Sequence, residues 1–154
     1  MSIVIILLII IAALFAMTYL TKRRFGVLGL ALCAGYLISE MWTAEVTPFV
    51  RDIGFEVFSP PLSSIVAAGL VLAPAVLLLF SGPTYGKKLQ RLIGAGFFAL
   101  LATAFLLGPL GNALTLDETS YRIYGFLADN KTFIITAGII YAIYDVLTLR
   151  TPKH

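Results

Sequence analysis

Residues 62–80 read LSSIVAAGLVLAPAVLLLF, nineteen residues without a charged side chain. An α-helix rises about 1.5 Å per residue, and the hydrocarbon core of a bilayer is about 30 Å thick. A helix over this stretch is therefore long enough to cross a membrane. The stretch predicts an integral membrane protein.

Four further apolar segments lie on either side of it, at about 3–20, 25–42, 92–110 and 133–149. The last is interrupted only by Asp145, and its seventeen residues are at the short end for a span. The chain is 60% hydrophobic and 12% charged, whereas a soluble domain carries about a quarter charged residues. We predict one all-α integral-membrane domain over residues 1–154, a polytopic bundle of five transmembrane helices.

Basic residues are concentrated in alternate loops. Eight of the 11 Lys and Arg residues lie after the first, third and fifth segments, in stretches that contain no Asp or Glu. Because cytoplasmic loops carry the excess of positive charge, we expect the N-terminus outside the cytoplasm and the C-terminus inside. We attribute the net charge of +3 to this orientation and not to nucleic-acid binding. The topology-determining residues are Lys22, Arg23, Arg24, Lys87, Lys88, Arg91, Arg150 and Lys153.

The loop between spans two and three has the features of a short helix. Thr47 is suited to cap a helix and Pro48 to its first position. Apolar residues then recur at helical spacing as far as Val57, before Ser59-Pro60-Pro61. We predict a short interfacial helix on the outer leaflet, with an ordinary loop packed on the bundle as the alternative. The loop after span four, residues 111–131, is predicted to be polar.

Asp145 is the main candidate for a functional residue, because ionisable groups inside spans are rare and usually face protein or water. Gly138, Ala142 and Asp145 fall at i, i+4 and i+7 on one helix face. Small residues allow helices to approach closely, so we expect Asp145 to point into the bundle. It either lines a pathway or reaches the cytoplasmic interface near Arg150.

Glu40, close to Trp42 at the other side of the membrane, allows two similar interpretations: a pathway residue or an exit into the outer headgroups. Pro74 lies mid-span and removes a backbone donor from the helix, so a kink is expected there. Small residues also form two stripes that we interpret as packing seams. They are Ala31, Gly35 and Ser39 in span two, and Ala95, Ala99 and Thr103 in span four.

The residue types that catalysis needs are scarce. The single His154 is the last residue, and the single Cys33 lies in an apolar run. The sequence has no Walker-type phosphate loop, and the Ser and Thr residues in spans have no evident base partner. We therefore expect a protein that is not an enzyme and has no metal or other cofactor.

The segment Arg91-Leu92-Ile93-Gly94-Ala95-Gly96-Phe97 resembles the colicin V production protein (CvpA) family of small bacterial inner-membrane proteins. Its match is to the family's pattern of Arg, two apolar residues and Gly, with Phe three residues later. The basic turn at residues 22–24 before a Gly-containing helix is also similar. The likeness covers about residues 1–110. The chain departs from the family's Gly and Arg at Phe98 and Leu101, and from its Arg-Gly pair at Arg24-Phe25-Gly26.

The resemblance implies a role in toxin export or envelope homeostasis, without a defined catalytic residue. Our leading hypothesis is a non-enzymatic membrane protein that supports secretion or envelope integrity, as a subunit of a larger assembly. The alternative is a small oligomeric channel or transporter that uses Asp145 or Glu40 along an ion pathway. In both cases we expect a multi-pass protein of the bacterial cytoplasmic membrane. Its partners would be the lipid bilayer and either further copies of the chain or another membrane protein.

Overall fold

The fold is built from α-helices. The computed structural model describes residues 3–54, 61–113 and 118–148. Within these ranges there is no β-strand, only an isolated bridge between Arg23 and Thr84. The all-α prediction is thus confirmed. The six helices of the described ranges are α1 Ile3–Thr21, α2 Phe25–Asp52, α3 Leu62–Ser81, α4 Lys88–Ala113, α5 Glu118–Asp129 and α6 Lys131–Leu147.

Three of these helices are each long and apolar enough to cross a membrane: α2, α3 and the Lys88–Pro109 part of α4. The α5–α6 pair reaches the same criterion only jointly, with a bend of 52° between its two helices. The apolar helical stretch of α1, Leu8–Thr21, is shorter than these candidate spans. Three to four membrane-length helices agree with a membrane protein, while the count of five spans and their orientation stay predictions.

Helix α4 lies at the centre of the bundle and packs against each of the other five helices. Residues 101–107 are buried without interruption, which requires neighbours on every face of that part of the helix. Helix α1 lies mainly along α4, whereas α2 packs against α3, α4 and α6. Phe25, Val71 and Phe105, from three different helices, belong to one buried cluster.

The predicted seam on α2 is a close approach to α3. Ala31, Gly35 and Ser39 are all buried. A Cβ atom added to Gly35 would collide with the carbonyl oxygen of Val71 and lie 2.9 Å from that of Leu70. Pro74 cannot donate to the Leu70 carbonyl as an ordinary helical residue would, yet α3 runs through Pro74 without a break. Glycine in α2 therefore permits contact at the point where proline interrupts the hydrogen bonds of α3.

The predicted separate interfacial helix starting at Thr47 is wrong, because α2 continues through this position to Asp52. The Thr43 hydroxyl donates to the Ser39 carbonyl and the Thr47 hydroxyl to the Thr43 carbonyl, both at 2.6 Å. Thr47 is thus bonded within a helix instead of capping a new one. The 28 residues of α2 extend about 42 Å, beyond the hydrocarbon thickness. The remainder of the predicted helix, residues 55–57, lies outside the described residues.

A short helix, α5, lies in the segment that was predicted to be a polar loop after α4. Tyr121 and Phe126 are exposed on it. Tyr124 points the other way, and its hydroxyl donates to the Leu107 carbonyl at 3.1 Å. Aromatic side chains of this kind are frequent where a membrane meets water. Because these aromatic residues lie on different sides of α5, the cluster does not mark a single apolar face of a helix, and the pattern did not indicate α5.

Candidate functional site

Two loops join at one end of the bundle. The Lys22–Arg24 turn lies between α1 and α2, and the 82–87 loop lies between α3 and α4. The amide of Arg24 donates to the Pro83 carbonyl at 2.9 Å, and the amide of Tyr85 donates to the Lys22 carbonyl at 2.8 Å. Lys22 takes the left-handed conformation with φ of 58°, which turns the chain sharply from α1 into α2. We call this end, with the last turn of α6, the basic end.

Arginines at the basic end bond to the carbonyls that helix C-termini leave free. The Arg23 guanidinium donates to the carbonyls of Leu79 and Phe80, both at 2.7 Å, and also to that of Gly82. Arg91 donates to the Tyr19 carbonyl at 3.2 Å and stands 5.1 Å from the centre of the Tyr19 ring. Arg23 thereby holds the end of α3, and Arg91 holds the end of α1.

The N-terminus of α2 receives two acceptors from distant parts of the chain. The Phe25 amide donates to the Tyr85 hydroxyl at 3.1 Å, and the Gly26 amide donates to Asp145 Oδ2 at 2.8 Å. The first amides of a helix have no partner within the helix, and its N-terminus attracts negative charge. Asp145 in α6 therefore serves as an anionic cap for α2.

The second oxygen of Asp145 forms an ion pair. Arg24 Nη2 lies 3.3 Å from Asp145 Oδ1, with the two side chains 14% and 6% exposed. The Arg24 guanidinium also stands 5.2 Å from the centre of the Tyr85 ring. Tyr85 is itself buried, and this burial raises the pKa of its phenol. Each oxygen of the Asp145 carboxylate therefore has a partner in the same chain, and the cation that pairs with it among the described residues is Arg24. Arg150, to which the sequence pointed, lies outside those residues.

Gly138 and Ala142 lie with Asp145 on the buried face of α6. A Cβ atom on Gly138 would lie 2.9 Å from Leu101 Cδ1 in α4. One on Gly26 would lie 2.7 Å from the Ala142 carbonyl oxygen. Small residues on two helices thus allow α6 to approach both α2 and α4, which brings Asp145 within reach of the Gly26 amide.

The lysines at the basic end differ from the arginines. Lys22, Lys87 and Lys88 are exposed, whereas Arg23, Arg24 and Arg91 are partly buried and bonded within the bundle. The basic residues that predict the topology are therefore of two kinds. The lysine ammonium groups are exposed and can contact lipid phosphates, whereas the arginine guanidinium groups bond to helix ends. Arg150 and Lys153 lie outside the described residues.

A cavity of about 710 Å³ lies further along the bundle, between α2, α3, α4 and the start of α6. Its inner wall includes the rings of Tyr36 and Phe105, which stack with their centres 4.8 Å apart. Lys131 Nζ stands 5.6 Å from the centre of the Tyr36 ring. The hydroxyl-bearing and charged residues of the lining are Tyr36, Ser39, Glu40, Thr43, Thr47, Arg51, Ser63, Ser64 and Lys131.

Glu40 and Asp145 occupy different levels of the bundle. Asp145 is bonded to Gly26 at the start of α2, and Glu40 lies 14 residues further along that helix. Glu40 is exposed toward the cavity, while Asp145 is enclosed at the basic end. The structure does not bring them together along one route. The cavity was not foreseen from the sequence, because it depends on Lys131 of α6 standing beside Tyr36 of α2. Among the described residues no group of three or more His, Cys, Asp or Glu side chains is placed to hold a metal ion.

Searches of protein-family models, curated proteins and solved structures give no match to this chain. The resemblance to the CvpA family therefore stays a prediction that rests on the residues quoted for it.

Proposed function

We propose that the chain is a non-enzymatic protein of the bacterial cytoplasmic membrane that supports secretion or envelope integrity as a subunit of a larger assembly. The observation that carries this proposal is the engagement of Asp145. Its carboxylate bonds to the Gly26 amide and pairs with Arg24. A carboxylate held in this way stabilises the packing of the helices. It is not available to bind ions that move along a pathway.

The proposed orientation has five spans, with the N-terminus outside and the basic end in the cytoplasm. Three exposed lysines at the basic end support this orientation: Lys22, Lys87 and Lys88. Cytoplasmic loops are enriched in Lys and Arg, and the anionic lipids of the cytoplasmic leaflet attract positive charge. In this orientation α5 and the last turns of α2 meet the outer headgroups. Their exposed aromatic residues, Trp42, Phe49, Tyr121 and Phe126, suit that level.

Purification from a mild detergent, with identification of the proteins that remain bound, tests the proposal. A partner present at constant stoichiometry, and retained in the Glu40→Gln variant, is the expected result. A lone homo-oligomer that conducts ions in liposomes would contradict it.

The cavity favours a second candidate, a small transporter. Its lining contains Glu40, Arg51 and Lys131, and charged residues of spanning segments commonly mark substrate pathways. Liposome flux that is lost in Glu40→Gln but kept in Asp145→Asn would favour this candidate, because only Glu40 lies on the cavity.

A further inference from the structure

The cavity presents opposite charges at one level of the bundle. Glu40 lies 14 residues after Gly26 along α2, and Lys131 lies 14 residues before Asp145 along α6. Gly26 and Asp145 are hydrogen-bonded to each other. Both charged residues are therefore about 21 Å along their helices from the same contact. Both line the same cavity.

Glu40 and Lys131 do not form a direct ion pair with each other. Within the described residues the only ion pair is Arg24–Asp145, so Glu40 and Lys131 are more than 4.0 Å apart. In the proposed orientation both residues lie close to the outer headgroups, because Glu40 is two residues before Trp42 and Lys131 is two residues after the end of α5. At that level the cavity can admit water or a polar ligand, which the two charged groups would contact. The cavity wall also contains the hydroxyl-bearing residues Ser39, Thr43 and Ser64, which add polar groups to the lining.

We propose that this cavity binds a small zwitterion, whose ammonium group contacts the Glu40 carboxylate and whose anionic group contacts the Lys131 ammonium. The lining carries one carboxylate, Glu40, and two cations, Lys131 and Arg51. Glu40 disfavours a ligand that carries only an anion, and the two cations disfavour a ligand that carries only a cation. The volume of about 710 Å³ is in the usual range for small-molecule sites. Tyr36, Val71 and Phe105 provide an apolar wall for the uncharged part of the ligand.

Two sources supply this chemistry, a free ethanolamine phosphodiester and the headgroup of phosphatidylethanolamine. The test uses glycerophosphoethanolamine with the protein in detergent. Separately, it compares nanodiscs of phosphatidylethanolamine and phosphatidylglycerol with nanodiscs of phosphatidylglycerol alone, whose headgroup has the phosphodiester and no ammonium group. Saturable stabilisation by the soluble probe indicates a free solute. Stabilisation only in the phosphatidylethanolamine nanodiscs indicates a lipid headgroup. Either result supports the site.

The residues are tested with Glu40→Gln and Lys131→Gln, and Glu45→Gln is the control because Glu45 is exposed on α2 away from the cavity. Each cavity variant should weaken binding by about tenfold or more, the effect of losing one hydrogen bond to a charged group, while Glu45→Gln should bind like wild type. Melting temperatures without probe establish that the variants fold.

Binding that is unchanged in both cavity variants would overturn the proposal, as would no response to either probe. Equal binding of glycerol 3-phosphate, which lacks the ammonium group, would also overturn it. The proposal is independent of the suggested role in an assembly, since a partner that co-purifies with wild type and with Glu40→Gln leaves that role standing whatever the probes show.

Discussion

The carboxylate of Asp145, in the last turn of α6, accepts a hydrogen bond from the backbone amide of Gly26, in the first turn of α2, at 2.8 Å. The contact joins residues 119 positions apart. It depends on glycine, because a Cβ atom at position 26 would lie 2.9 Å from Asp145 Oδ2 and 2.7 Å from the Ala142 carbonyl oxygen. Helix α6 is thereby fixed against the start of α2.

Gly26→Ala should therefore destabilise the bundle by about 1–3 kcal/mol, the usual range for overpacking a close contact. The measurement is the free energy of unfolding in detergent. Gly69→Ala is the control, since nothing lies within 4 Å of a Cβ atom there, and alanine favours a helix by up to about 1 kcal/mol over glycine. Equal stability of the two variants would mean that α6 does not approach α2 in this way.

Tyr85→Phe should destabilise the protein by about 1–3 kcal/mol, because it leaves the buried Phe25 amide without its acceptor. The matched control is Tyr121→Phe, which removes a hydroxyl from an exposed side chain and should change stability by less than about 0.5 kcal/mol. Thermal unfolding of the two variants side by side measures the difference. Indistinguishable midpoints would remove Tyr85 from the cap of α2.

Tyr85 also predicts a pH dependence. Burial raises the pKa of its phenol above the ordinary value of 10.0, so the folded state holds the proton more tightly than the unfolded state. The resulting stability is present in full below pH 10 and is lost as the pH rises further. Wild type should thus lose more stability than Tyr85→Phe between pH 9 and pH 11. Parallel losses in both proteins would contradict this.

Ala99→Leu should destabilise the bundle by about 1–3 kcal/mol, because Ala99 is 2% exposed in the central helix α4 and a larger side chain would separate packed helices. Ala13→Leu, at an exposed position of α1, adds the same atoms where there is room for them. A detergent stability assay in which both substitutions are neutral would show that this face of α4 contacts lipid.

Reporter fusions test the proposed orientation. Fusions after Lys88 and after His154 should report a cytoplasmic location, and a fusion after Glu56 an external one, because basic residues gather in the first two places. An external result for the His154 fusion alone would mean that α6 does not cross and that the bundle has four spans.

The sequence was sufficient for those features that local pattern determines. Uncharged runs located α1, α3 and α4 closely, and the spacing of small residues identified Gly35, Ala99 and Ala142 as packing positions. It was insufficient where long-range contacts decide. Thr47 and Pro48 are residue types that often begin a helix. In the structure α2 continues through both, and the hydroxyls of Thr43 and Thr47 donate to carbonyls of the preceding turn. Helix α5 shows no such pattern, because its aromatic residues lie on different sides of the helix.

The candidate sites show the same division. Asp145 was recognisable as an ionisable residue on a face of small residues. Its partners Arg24 and Gly26 lie about 120 positions earlier, and no periodicity relates them. Glu40 was recognisable too, but the cavity beside it exists only because Lys131 and three other helices meet there. The sequence alone could not distinguish an exit into headgroups from a cavity wall.

The ion pair between Arg24 and Asp145 is the interaction on which the proposed structural role of Asp145 depends. Breaking a buried ion pair from one side costs about 3 kcal/mol or more, so Arg24→Gln and Asp145→Asn should each lower the free energy of unfolding. A double-mutant cycle on these two substitutions measures their coupling directly. The account predicts a double variant more stable than the sum of the single losses implies, by at least about 1 kcal/mol. Losses that add within about 0.5 kcal/mol would contradict it and leave Asp145 free for a pathway.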